Sequence, residues 1–440
     1  MLIPAAVARC LETLEQAGFE AYCVGGCVRD RLLGKEPHDF DLCTSATPEE
    51  MKTLFHDQDL VLAGEKHGTV GVVTEEGVVE ITTFRKEGTY ADNRHPDRVE
   101  FVTDIRQDLA RRDFTVNAMA WSPKRGLQDP FGGEADLKNG ILRCVGHPET
   151  RFREDALRIL RGVRFSVTYN LTPEPETERA MLSLTELLDH LARERVYGEF
   201  CGFLPQITGA QLVKYAPIIT QVIPELKATV GFDQHSPHHK YDLYTHIAQV
   251  VDRVPGDPPL RWAALLHDVG KIPTFTRDET GRGHFYGHAQ AGAEMADEIL
   301  RRLKAPTALR QQAVLLIEQH MTRLMPEKRL LKRYLGRWGR ETVEQLLYLQ
   351  QADMGSKGVP GEEEQEQFEV LWALLKEVEQ ESTCLTRKDL ALTGLDLLSL
   401  GYQGREIGAR LEELLEAVLD ERVKNEKEAL LGYLKRTETS

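Results

Sequence analysis

No stretch of the chain approaches the roughly 18 consecutive apolar residues of a membrane helix, so a membrane partner is not expected. The opening Met1-Leu2-Ile3-Pro4 has no basic run ahead of an apolar one; no secretory signal is expected, and the expected compartment is the cytosol (cytoplasmic). Cysteine is sparse and odd in number: seven residues, none spaced as Cys-x-x-Cys. That excludes a disulfide framework and predicts reduced, mostly packed thiols, including Cys23 and Cys27 on either side of Gly25-Gly26. Positive charge is in deficit, with 55 Lys and Arg against 70 Asp and Glu and a net charge of −15. Taken whole, this argues against a polyanionic partner. Internal repeats and long low-complexity tracts are absent too, which excludes solenoid architectures.

What is there reads as ordinary globular protein, 440 residues with 41% hydrophobic and 28% charged, long enough for two to four domains. The basic residues are not spread evenly. Arg151 to Arg164 carries five arginines and Lys328 to Arg340 six basic residues, while acid gathers elsewhere, as in Glu362-Glu363-Glu364. Such clusters restore a nucleic-acid partner as a candidate, although each could equally be a solvated helix face. Residues 1 to about 145 mix strand and helix signals. Ala21 to Val24 and Phe40 to Cys43 read as short strands, and two β-branched runs around Glu75-Glu76-Gly77 read as a hairpin. From about Pro148 onward apolar residues recur at helical spacing, with Gly355 to Gly361 as the clearest linker and Ile407 to Tyr433 as a last helical segment.

Gly25-Gly26-x-Val28-Arg29-Asp30 follows the first strand and precedes a helix-like turn. Glycines there let backbone N–H groups approach a phosphate, with a helix N-terminus adding its dipole. Asp39-Phe40-Asp41 comes next; on a strand its carboxylates share a face and repel unless a cation neutralises them. Asp-x-Asp is therefore a natural Mg²⁺ pair, able to bridge to triphosphate oxygens. Glu80, on the hairpin, is the candidate third carboxylate. The glycine turn followed by Asp-x-Asp resembles the head of the nucleotidyltransferase superfamily that contains CCA-adding enzymes and bacterial poly(A) polymerases. Arg111-Arg112-Asp113-Phe114-Thr115-Val116-Asn117-Ala118 resembles the family segment that handles ribose and triphosphate. Asp129-Pro130-Phe131-Gly132-Gly133 with Asp136-Leu137 resembles the motif between head and neck, and Glu194-Arg195-Val196 the neck motif of the bacterial class II branch. The resemblance implies catalysis by Asp39, Asp41 and Glu80 with Mg²⁺. It implies nucleotide binding by Gly25, Gly26, Arg29, Arg112, Asp113, Asn117 and Arg161.

Glu154-Asp155-x-x-Arg158 bears on base choice. If one helix carries it, Asp155 and Arg158 share a face. A carboxylate accepting from an exocyclic amine beside a guanidinium donating to a ring nitrogen matches cytosine and adenine. Uracil and guanine present the opposite order, and buried groups left unpaired cost about 1–3 kcal/mol each. Glu154 can hold the guanidinium in place. Seen alone the pattern is an ordinary helix salt bridge; the family resemblance assigns it to nucleobase reading.

His246, then His267-Asp268, then Asp353 resembles the HD superfamily of metal-dependent phosphohydrolases. Imidazoles and carboxylates on facing helices suit a divalent transition metal, a second metal beside the Mg²⁺ of the head. His288 and His320 are candidates for a further position. The segment Asp389 to Asn425, with Thr393-Gly394-x-Asp396 and Gly401-x-x-Gly404, resembles the tail of CCA-adding enzymes. It departs by carrying Arg405 where members often have proline.

The expectation is an α+β chain: a small, mixed, largely antiparallel nucleotidyltransferase head (1–145), then an all-α neck (146–215), HD body (216–360) and tail (361–440). The implied reaction is attack of a tRNA 3′-OH on the α-phosphate of CTP or ATP, with the acceptor arm gripped through its A-form backbone. The rivals are a poly(A) polymerase or A-only adding enzyme, and an HD phosphohydrolase with an inactive head.

Overall fold

The computed structural model describes residues 3–37, 39–87, 99–235, 240–357, 362–381 and 384–438. The chain forms two compact units, Met1–Ile207 with Lys214–Pro224, and Thr208–Val213 with Glu225–Ser440.

The first unit begins with α1 (Ala5–Gln16), whose buried Ala6, Val7, Cys10, Leu11 and Leu14 recur at helical spacing and pack on the first strand. The strands that follow are β1 (Ala21–Val24), β2 (Leu42–Thr44), β3 (Leu60–Val61), β4 (Thr69–Thr74), β5 (Gly77–Thr83), β6 (Arg85–Glu87), β7 (Val99–Phe101), β8 (Ala120–Ser122) and β9 (Gly126–Gln128). Seven of them form one sheet in the order β3-β4-β5-β2-β1-β8-β9. All its pairs are antiparallel except β2 with β5. All four β1 residues are buried, the pattern of a central strand covered on both faces. Tyr22, Val24, Cys43, Phe84, Leu109, Ala118, Ala120 and Val145 form the core on one face. The β4–β5 hairpin turns where the sequence signals it, with Gly77 at φ 118°.

The chain leaves β1 through Gly25-Gly26 into α2 (Gly26–Leu32), and α3 (Pro48–Leu54) is started by a Thr47–Glu50 capping box. Next come α4 (Ile105–Ala110), α5 (Gly133–Lys138), α6 (Pro148–Glu154), α7 (Leu157–Thr168), α8 (Pro175–Ser183) and α9 (Arg193–Phe203). Asp129 accepts from the N–H groups of Gly133 and Glu134 at 2.7 and 2.9 Å, so the Asp-Pro-Phe-Gly-Gly motif starts α5. One expectation is corrected here: Glu154 to Phe165 is not one helix. Asp155 is extended (φ −141°, ψ 105°), and its carboxylate accepts from Leu157 N–H at 3.0 Å, capping α7.

In the second unit the helices Leu243–Arg253, Pro258–Leu266, His288–Arg302, Thr307–Gln319 and Arg340–Lys357 pack together, with a small hairpin of Thr276–Arg277 and Gly283–His284. The expected linker starts later than read: a helix runs to Lys357, and 358–361 lie outside the described residues. The last helical segment is two helices, Arg405–Leu419 and Lys427–Glu438, broken where Glu421 takes φ 57°.

Five of the six basic residues from Lys328 to Arg340 form ion pairs inside this unit. Lys328 pairs with Glu377 and Glu381, Arg329 with Asp420, Lys332 with Glu381 and Glu421, Arg333 with Glu416 and Asp420, and Arg340 with Glu344 and Glu379. The tail motif is also structural: Thr393 and Asp396 form a capping box, and Asn425 bridges to Asp389 and Ala391.

Candidate functional site

Asp39 and Asp41 sit on the extended segment entering β2, where Asp41 O accepts from Val24 N–H at 3.0 Å. The strand itself starts at Leu42, a little later than expected, yet both carboxylates line one cleft of about 900 Å³. Burial pushes the Asp41 carboxyl above its usual range; Arg112 opposes this and Asp39 adds to it. The two carboxylates therefore feel each other. β2 and β5 run parallel with Leu42 beside Ile81, so Asp41 and Glu80, each one residue earlier, stand at the same level. Asp39, Asp41 and Glu80 together line an adjoining cleft of about 620 Å³. Three acidic side chains lining one cleft have the chemistry a cation would need.

The glycine turn brings a cation toward them. Gly25 takes φ 75°, a backbone conformation that favours glycine, and a Cβ there would lie 2.9 Å from Arg112 Nη1 and push that guanidinium aside. Arg112 and Arg111 are aimed by Asp108, a buried carboxylate on α4, at 3.3 and 2.9 Å. Burial alone would raise Asp108, but the two guanidiniums hold it below the usual carboxylate range. Arg29, buried on α2, donates to Asn117 Oδ1 at 2.5 Å and to Tyr169 OH, whose ring its guanidinium covers at 4.0 Å. Asn117 donates to Asp113 at 3.2 Å, and Asp113 takes Arg161 through Nε and Nη2, both at 2.7 Å. Burial would raise Asp113 as well; the Arg161 charge and the hydrogen bonds from Arg161 and Asn117 bring it down to about 2. A continuous polar chain, Arg29–Asn117–Asp113–Arg161, thus ties α2 to α7.

Asp155 and Arg158 open on the same cleft as Asp39 and Asp41, though Asp155 lies at the helix break rather than on a shared helix face. Arg195 donates to Asp155 Oδ2 at 2.9 Å. Arg158 donates to Glu154 at 2.8 Å, to Arg151 O at 3.2 Å and to Arg111 O at 3.0 Å. Eight arginines line the cleft (Arg29, Arg85, Arg111, Arg112, Arg158, Arg161, Arg164 and Arg195) against four aspartates, Asp39, Asp41, Asp113 and Asp155. That concentration answers the net charge of −15. Sequence reading missed Asp108, Tyr169, Arg85 and Arg164 as site residues. For Asp108 the signal was present, an acid three and four residues before Arg111 and Arg112; Tyr169 carried none.

The second unit gathers His246, His267, Asp268, Asp353, His288 and His320, all buried, from five helices and their ends. His246 Nε2 lies 3.2 Å from Asp268 Oδ2 and 3.1 Å from Asp353 Oδ1, and His267 Nε2 3.2 Å from Asp268 Oδ2. His288 and His320 face the other oxygen of Asp268 at 3.6 and 4.0 Å, and each other at 3.3 Å. The ligand atoms form two groups within 4.8 Å, sharing Asp268. Backbone carbonyls of Ala264, Phe285 and Ile317 lie 2.8, 2.8 and 2.6 Å from the Nδ1 atoms of His267, His288 and His320. Those bonds place the ring protons on Nδ1 and leave Nε2 lone pairs pointing inward. Among the described residues no hydrogen bond of good geometry satisfies His267 Nε2, Asp268 Oδ2 or Asp353 Oδ1. Convergent lone pairs of this kind fit a divalent metal. Burial would lower His246, but the Asp268 and Asp353 carboxylates beside it raise it; burial lowers His320 to about 4. Gly270 is forced by packing, since a Cβ there would lie 2.2 Å from His288 O.

Comparison with known proteins matches a known domain in each of the two units. The Poly A polymerase head domain matches residues 21–143 and the HD domain residues 242–354. A CCA-adding enzyme of Levilactobacillus brevis is 36% identical over 432 residues, 96% of this chain and 95% of that one. Another, of Ligilactobacillus salivarius, is 43% identical over 249 residues, 54% of this chain and 61% of its own length. The Bacillus stearothermophilus CCA-adding enzyme in complex with CTP superposes with a TM-score of 0.66 at 27% identity, covering 99% of this chain and 97% of that one. By this likeness along nearly its whole length, the chain belongs to the CCA-adding enzyme family.

Proposed function

We propose that the chain adds C, C and A to the 3′ end of tRNA by template-independent nucleotidyl transfer from CTP and ATP. The observation that carries this is one cleft lined by Asp39 and Asp41, by eight arginines, and by the Asp155–Arg158 pair. Asp39, Asp41 and Glu80 would hold Mg²⁺, which when bound activates the attacking hydroxyl and neutralises charge on the triphosphate. Arg112, set by Asp108, and Arg29, set by Asn117 and Tyr169, offer fixed donors to phosphate oxygens. Because these donors are already oriented, they stabilise developing charge without reorganising. The tRNA 3′-OH attacks the α-phosphate, its bond to the β-phosphate oxygen breaks, and pyrophosphate leaves.

Base choice falls to Asp155 and Arg158. Glu154, Arg151 O and Arg111 O take three of the five N–H bonds of Arg158, which leaves donors for N3 of cytosine or N1 of adenine. Asp155 keeps lone pairs for the exocyclic amine while Arg195 and Leu157 N–H fix its plane. A tRNA substrate is what supports a cytoplasmic reading. Among the described residues no helix is long and apolar enough to cross a membrane. The test is incubation of the full chain with tRNA lacking CCA and single nucleotides: CTP alone extends by two, and CTP with ATP by three. Incorporation of ATP alone, with CTP never used, overturns the reading.

The second unit supports an additional reading, a metal-dependent phosphohydrolase. His246, His267, Asp268 and Asp353 would hold a divalent transition metal, with Asp268, His288 and His320 at a second position. Such a metal supplies an activated water for attack on a phosphoester. The two ligand groups meeting at Asp268 favour it.

A further inference from the structure

We propose that Gln234 and Lys271 form a phosphoryl-oxygen subsite beside the histidine–aspartate centre, so that this centre accepts a phosphoester by gripping one of its non-bridging oxygens. The inference rests on the metal-centre reading of that site and adds the residues that would hold the substrate's phosphoryl group.

Lys271 is buried, and its ammonium lies 2.7 Å from Asp268 Oδ2 and 2.9 Å from Gln234 Oε1, over the face of Phe285. An ammonium has three N–H bonds; Gln234 Oε1 takes one and Asp268 Oδ2 pairs with the charge, which leaves at least one N–H open. Gln234 is only 1% exposed. Its amide orientation follows from its neighbour: Oε1 must face the Lys271 ammonium, because an amide N–H turned there would meet another donor. Nε2 is therefore the atom that does not meet Lys271, and it has no hydrogen-bond acceptor among the described residues.

A buried amide donor left without an acceptor is costly, and native structures rarely keep one unless something else supplies the missing atom. Here the missing atom has a defined chemistry. An anionic oxygen that accepts from this amide and from the remaining N–H of the adjoining ammonium satisfies both donors. Asp268 stands next to it and would repel a free anion, so the anion enters together with a cation held by the histidines and aspartates. A tetrahedral phosphoryl group has enough oxygens to meet two donors and a metal at once; a carboxylate has two. The donors are also fixed in place. Gly283 N–H donates to His235 O at 3.0 Å, and a Cβ at Gly283 would lie 2.4 Å from Gln234 O, so the Gln234 backbone is seated against the Gly283–His284 strand.

The test uses the full chain carrying Asp39→Asn and Asp41→Asn, so that Mn²⁺ is not held by the head. Mn²⁺ content is read by electron paramagnetic resonance, and binding of inorganic phosphate by its ³¹P relaxation. Phosphate binding that depends on Mn²⁺ is expected, with acetate failing to compete. Gln234→Glu keeps an oxygen for Lys271 and removes the donor; phosphate affinity falls about tenfold or more at unchanged Mn²⁺ content. Gln234→Leu, which cannot repel the anion, gives the same fall and serves as the decisive variant if Gln234→Glu loses Mn²⁺. Phosphate affinity within twofold of the parent in a variant that retains Mn²⁺ overturns the subsite, as does acetate competing as well as phosphate. Failure of the parent chain to bind Mn²⁺ at all overturns the metal-centre reading instead.

Discussion

Asp113→Asn should loosen the first unit and the nucleotide cleft together. Asp113 is 7% exposed, and its carboxylate receives two hydrogen bonds from Arg161, one from Asn117 and one from Phe114 N–H. A carboxyl held at about 2, against an ordinary value of 3.8, corresponds to roughly 2 kcal/mol of stability at neutral pH. Removing one partner of a buried pair costs about 3–5 kcal/mol, because the other charge is left uncompensated. The side chain of Arg161 is 33% exposed and can recover some hydration, so the expected loss is about 2 to 4 kcal/mol. Native-state hydrogen exchange of peptides between residues 105 and 170, read by mass spectrometry at pH 7, measures it. Because the folded value lies below the unfolded one, the stabilisation is fully present above about pH 4 and is lost as pH falls toward 2. The gap between parent and variant therefore narrows over that window in urea titrations. A double-mutant cycle with Arg161→Met should show the pair to be strongly coupled. A loss within 0.5 kcal/mol (roughly the effect of a surface substitution) with no coupling would refute the reasoning.

Gly25→Ala places a side chain at φ 75° and against Arg112, and should raise KM for CTP roughly five- to tenfold through strain of about 1–2 kcal/mol, measured by steady-state incorporation. Arg195→Met releases Asp155 Oδ2, and misincorporation of UTP and GTP relative to CTP should rise roughly tenfold in single-nucleotide assays. Adding Mn²⁺ to metal-stripped protein should raise the unfolding temperature of the second unit, by the equivalent of about 2.7 kcal/mol at a hundred times Kd. His246→Ala should abolish that rise, and a rise that survives would place the ion elsewhere.

Much of the cleft was legible because its chemistry is local in the sequence. The glycine turn, Asp39-Phe40-Asp41 and the Arg111 to Asn117 segment each carry their meaning within a few residues, and β2 pairing parallel to β5 sets Glu80 level with Asp41. The histidine–aspartate cluster was legible for another reason, since an unusual order of scarce residue types survives without knowledge of contacts. What failed was inference from periodicity across a break. Asp155 reads as mid-helix by spacing, but its own short carboxylate caps the next helix, which spacing cannot reveal. The basic run at Lys328 to Arg340 was read as a candidate polyanion contact. Lys328, Arg329, Lys332 and Arg333 pair with Glu377, Glu381, Glu416, Asp420 and Glu421, far along the chain, a long-range fact that spacing does not carry. Tyr169 and Gln234 stayed hidden because their roles depend on one neighbour each, Arg29 and Lys271.

Nucleotidyl transfer here depends first on the head carboxylates Asp39 and Asp41. Incorporation of labelled CMP into tRNA lacking CCA should be compared for the parent, Asp39→Asn and Asp41→Asn under single-turnover conditions with Mg²⁺, alongside tRNA binding. Each variant is predicted to fall by about a hundredfold or more in rate while binding tRNA within a few fold of the parent. Near-parental incorporation by either variant would contradict it.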